Sequence, residues 1–140
     1  MYYVPKYFKA YELLPPDIFE KYGVDGLYLI DDRITWTLDQ IRDTIKKPIT
    51  VNNWKFGGQF SQRGYRTDPN VGVKFSPHRF GRGVDFDIAG VTAQEFRNMV
   101  RSLKINLPYI TRMEDTVNWI HIDCMGLPKQ QGEPIVFFKP

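Results

Sequence analysis

The sequence predicts an α+β fold, a small antiparallel sheet flanked by helices, in a single domain spanning residues 1–140. Three observations lead there. Residues 83–88 and 117–123 alternate apolar and polar side chains with the period of two that marks half-buried strands. Residues 31–45 and 92–103 repeat apolar side chains at helical spacing. A chain of 140 residues with 42% apolar and 25% charged side chains is also long enough to bury one core, and its balance is that of a globular protein.

Each element follows from local chemistry. Residues 1–30 read as an irregular opening segment with one short helix, started by Pro15-Pro16-Asp17 and stopped at Gly23. A longer helix begins near Asp31-Asp32 and carries Ile34, Leu38, Ile41 and Ile45 on one face. Lys46-Lys47-Pro48 closes it with positive charge and a breaker. Pro48–Val51 reads as a short strand. Residues 52–83 are rich in Gly, Asn, Ser and Arg and lack a period, and a loop of that length in a compact domain is usually functional. In the strand Gly83–Ile88, Val84, Phe86 and Ile88 point one way, and Asp85 and Asp87 the other. Thr92-Ala-Gln-Glu95 is a capping box opening a helix with Phe96, Met99, Val100 and Leu103 on one face. A hairpin follows: Tyr109–Met113, a turn around Glu114–Thr116, and a strand Val117–Asp123 that puts Trp119, His121 and Asp123 on one face. Ile135–Phe138 is the last strand.

Composition narrows the class. Aromatic residues at 15% and the absence of long polar tracts argue against disorder. No run approaches the ~18 apolar residues of a membrane span, and Met1-Tyr-Tyr-Val-Pro-Lys lacks the apolar core of a signal peptide, so synthesis in the cytoplasm is expected. A single cysteine, Cys124, excludes an intramolecular disulfide and reads as a small core residue. The net charge of +3 suits an anionic partner, but Arg63, Arg66, Arg79 and Arg82 form no dense run and no nucleic-acid motif is present. A monomer without nucleic-acid partners is expected.

The two histidines carry the chemistry. His78 stands just before the first alternating strand, and His121 lies on the second. If the two strands are antiparallel neighbours, Asp85 and His121 converge, and Gly81 and Gly83 let the preceding loop turn tightly enough to bring His78 in. Two imidazoles and one carboxylate leave the fourth position of a tetrahedral zinc open, the mark of a catalytic rather than a structural site.

Ser76-x-His78-x-x-Gly81-x-Gly83-x-Asp85, with Trp119-x-His121-x-Asp123, resembles the paired motif of the zinc DD-/LD-peptidases of the D-Ala-D-Ala carboxypeptidase type. The first family motif reads Ser-x-His-x-x-Gly-x-Ala-x-Asp. The resemblance covers about residues 31–124 and implies a Hedgehog/DD-peptidase-like fold with a zinc site on the sheet face. It also implies hydrolysis of the peptide part of peptidoglycan, by a lysis enzyme, a virion component or a wall-remodelling enzyme acting outside the cytoplasm. His78, Asp85 and His121 would be the zinc ligands, with Ser76 and Asp123 orienting them by hydrogen bond. Gln62-Arg63-Gly64-Tyr65-Arg66 is similar to the family's Ser-Gly-Tyr-Arg segment, so Arg66 would hold the developing oxyanion. Arg63 and Tyr65 are expected at the substrate, and Trp54, Phe56 and Phe60 are candidate groove walls. Asp87 is left between a site role and a surface role.

One position departs from the family. Many members carry an acid three residues before the last histidine as general base; here that residue is Asn118, and an amide cannot take the proton. The hairpin turn offers Glu114 as the first substitute and Asp115 as the second. A zinc-stabilised binding domain without turnover is the competing expectation.

Overall fold

In the computed structural model, which describes all residues 1–140, the opening segment forms two short helices rather than one: α1 (Ala10–Leu13) and α2 (Pro16–Tyr22). Pro16 sits at the first turn of α2, and Gly23, at φ +57, ends it. The long helix α3 (Asp32–Ile45) is capped by the Asp31 carboxylate on the Arg33 amide and ends at Lys46 in the left-handed conformation. α4 (Ala93–Arg101) has the full capping box, with the Glu95 amide on Thr92 Oγ1 and the Thr92 amide on the Glu95 carboxylate. It stops two residues short of Leu103, which has φ +59 and lies exposed instead of joining the apolar face.

Five short strands make one sheet in the order β1 (Ile49–Thr50), β2 (Gly83–Ile88), β4 (Ile120–Asp123), β3 (Arg112–Glu114), β5 (Val136–Phe138). The expected hairpin is present, though both strands are shorter than the alternation suggested. The sheet is mixed rather than antiparallel, because β5 runs parallel to β3. The chain leaves β4, passes around the start of β3 and re-enters on its far side. β5 therefore opposes β4 in direction and shares that of β3.

The core is one cluster of 24 buried apolar residues. Ile34, Leu38 and Ile41 from α3 and Phe96 and Val100 from α4 join Val84, Phe86, Met113, Ile120 and Ile122 of the sheet. The Phe86 and Phe96 rings meet edge to face, with centroids 5.9 Å apart. Alternation then turns Asp85, Asp87, His121 and Asp123 to the opposite face. The irregular segment 52–82 runs along that side. β1 pairs β2 only at Ile49–Ile88 and Thr50–Asp87, and beyond it the Asp85 amide donates to the Arg63 carbonyl at 2.8 Å. The loop thus continues where the edge strand ends, which fixes Arg63 and Arg66 beside β2.

Candidate metal centre

β2 and β4 pair in the register that sets Asp85 directly opposite His121. His78 comes from a 3₁₀ turn, Pro77–Phe80, immediately before β2. Gly81 closes that turn at φ +68, and a Cβ there would lie 1.9 Å from the Leu29 carbonyl oxygen, so only glycine fits. Gly83 is needed for room rather than rotation. Its Cβ would lie 2.8 Å from Pro77 Cβ and 3.3 Å from His121 Cε1.

One ligand-type atom from each of His78, Asp85 and His121 lies within 4.8 Å of the others. Asp85 Oδ1 is 3.2 Å from His78 Nε2 and 2.7 Å from His121 Nδ1. The far ring nitrogens are anchored. His78 Nδ1 donates to the Gly64 carbonyl at 2.9 Å, since a carbonyl only accepts, and this leaves Nε2 as the nitrogen turned to the cluster. His121 Nε2 lies 2.8 Å from Asp123 Oδ2. The fully buried Asp123 is gripped in turn by both arms of the Arg112 guanidinium, each at 2.9 Å. Carboxylate and carbonyl partners of this kind orient metal-binding imidazoles.

The electrostatics agree. Burial alone would raise the Asp85 carboxyl, but the His78 and His121 imidazoles hold it well below the usual carboxylate range. Burial would lower His121, yet its hydrogen bonds to Asp123 and Asp85 raise it to about 9. With a carboxylate at each ring nitrogen, both nitrogens carry protons in the ion-free protein. Two imidazoles and a carboxylate, buried and held by partners, can hold a metal ion.

The other expected residues divide. Arg66 is buried beside the cluster, with Nη2 3.6 Å from Asp85 Oδ2. Burial lowers its pKa, against the attraction of Asp85 and Glu114. Ser76 meets Arg66 Nη1 at 3.3 Å, so it steadies the arginine and not a histidine. Glu114 shares the β3 face with Arg112, and continuing the β3–β4 register brings it across from His121. Asp115 is drawn away, to Arg101 at 2.7 Å and the buried Arg97 at 3.4 Å, both on α4. Those two pairs tie it to the helix. Tyr65 packs against the core and does not line the cleft. Of the expected aromatic walls only Phe60 holds: Trp54 donates to the Leu14 carbonyl, and Phe56 projects into solvent.

The cleft beside the cluster has a volume of about 560 Å³ and is bounded by Arg63, Arg66, Asp85, Asp87, Asn118 and Trp119, among others. A larger groove of about 700 Å³, between residues 100–109 and 128–137, contains none of the cluster. Sequence reasoning missed Arg112 and Phe138. The alternation of Arg112 and Glu114 was a readable signal for the first. Phe138, whose ring stands edge-on to His121 at 5.8 Å, depends on the parallel pairing of β5. Comparison of the chain with protein-family models, with curated proteins and with solved structures gave no match.

Proposed function

We propose that the chain is a zinc-dependent peptidase of the Hedgehog/DD-peptidase type that hydrolyses an amide bond in the peptide part of bacterial peptidoglycan, as a carboxypeptidase or endopeptidase. The observation that carries this reading is the His78–Asp85–His121 cluster, its histidines buried and their far nitrogens anchored on Gly64 and Asp123, with Asp85 on the wall of a cleft. His78 Nε2, His121 Nδ1 and the Asp85 carboxylate would hold the ion. When bound, zinc polarises a carbonyl and lowers the pKa of water to roughly 7.

The chain's own groups supply the rest. Glu114 takes the proton of the attacking water and delivers it to the leaving amine. Arg66, fixed by Ser76 and the Gln62 carbonyl, faces the oxygen on which negative charge develops. Asp123 keeps the His121 ring in position through Nε2. Asn118, on the cleft wall where the resembled family places its acid, favours a second reading: a zinc-stabilised domain of the same fold that binds cell wall or protein without turnover.

Metal analysis and digestion of purified cell walls separate the two. About one zinc per chain and new amino termini in the stem peptide, identified by product mass, are expected. Glu114→Gln should lose roughly 10²–10⁴-fold in rate while keeping its zinc. Unchanged hydrolysis in that variant moves the base role to another group. Zinc-loaded protein that releases nothing from walls overturns the enzyme reading in favour of the binding domain.

A further inference from the structure

The cleft wall carries an ion pair that the proposed chemistry does not use. Arg63 Nη1 meets Asp87 Oδ2 at 2.9 Å, and the Arg63 guanidinium stacks on Phe60, 4.2 Å from its ring centroid. Both charges lie on the cleft. Neither is used up by the other. The Nε and Nη2 of Arg63 have no partner in the protein and keep contact with solvent, and the half-exposed Asp87 has its Oδ1 free. The pair is held by the stack on Phe60 and by the backbone bonds of Arg63, with a free donor edge on one partner and a free acceptor atom on the other.

Asp87 follows the cluster residue Asp85 by two positions on the same strand face, so the pair stands about 7 Å along β2 from the cluster. We propose that Arg63 and Asp87 together read a zwitterionic amino-acid head group on the substrate, a carboxylate and an ammonium on one carbon. Arg63 takes the carboxylate with its free nitrogens, and Asp87 takes the ammonium with Oδ1. The diamino-dicarboxylic acid found in many stem peptides ends in such a group; a lysine residue at the same place offers the ammonium without the carboxylate. The inference rests on the peptidase reading and supplies its substrate preference.

Two measurements test it. In the first, zinc-loaded protein is titrated with three compounds whose peptide-side amine is acetylated and peptide-side carboxyl amidated, as in a stem peptide: meso-diaminopimelate with its other end free, the same compound amidated at that end, and lysine, following the amide signals of residues 60–63 and 85–87 by NMR. The compound with the free zwitterionic end should bind at least about tenfold more tightly than the other two, because each of them lacks the carboxylate that Arg63 would take. Equal binding of the three overturns the proposal without needing any variant. In the second, kcat and KM are compared on stem peptides carrying diaminopimelate or lysine. Asp87→Asn and Arg63→Gln, checked for zinc content and Tm, should abolish most of the preference through KM. Preference retained in both variants overturns the assignment. Selective binding of the compound with the free zwitterionic end, without cleavage of either peptide, would instead count against the peptidase reading and leave the head-group site standing.

Discussion

His121 meets a carboxylate at each ring nitrogen, and that doubling sets the behaviour of the site. Asp85 waits on the side where an ion would sit, and Asp123, locked by Arg112, holds the other side. Asp123→Asn keeps an acceptor for Nε2 but removes the charge that makes the ring a strong donor to metal. Zinc affinity should fall about 10–100-fold, as measured by competition with a chromophoric chelator. The three cluster residues were legible in the sequence, because alternation assigns faces and one antiparallel register is enough to join Asp85 to His121. The choice between Glu114 and Asp115 was not. They are adjacent in the chain, and only α4, through Arg97 and Arg101, draws Asp115 off the site face. Ser76 was expected on a histidine and lies on Arg66, for the same reason: a motif gives spacing, while a hydrogen-bond partner depends on what else is packed within reach.

At the scale of elements, local signals held where they were redundant. Proline at the start of α2, glycine at its end, the Asp31 cap and the Thr92–Glu95 box are each visible in a few residues and each bounds a helix. Leu103 fits the apolar spacing of α4 but falls beyond its end, so periodicity alone overran the helix. α4 is short, which makes its cap count. Thr92→Ala should lower stability by about 1 kcal/mol, read from denaturant midpoints at unchanged slope. Phe96→Ala, which empties the space against Phe86, should cost about 3–5 kcal/mol on the same measurement. The mixed sheet was illegible because Val136–Phe138 carries the same strand signal whichever edge it joins. Its place beyond β3 is set by the path of the long connection after β4.

Across the whole molecule, the cluster ties the 3₁₀ turn of His78 to two central strands, so an ion there would cross-link loop and sheet. In the ion-free protein His121 has its pKa raised from 6.5 in the unfolded chain to about 9. The stability from its protonated form is therefore complete below about pH 6.5 and is lost as pH rises through about 9. A bound ion replaces the Nδ1 proton, so the gap in Tm between zinc-loaded and chelator-treated protein should widen from pH 6 to pH 8.5. A gap that stays constant over that range would count against His121 Nδ1 as a ligand atom. The sequence by itself determined the helices with strong caps, the two faces of the alternating strands and the three residues able to meet at a metal, because each depends on short-range periodicity or a local motif. Tertiary structure alone decided which acid faces His121, that Tyr65 packs into the core and Phe138 onto the histidine, and that Arg63 and Asp87 stand paired on the cleft wall. Those outcomes depend on which distant segments share a face, and no spacing along the chain encodes that.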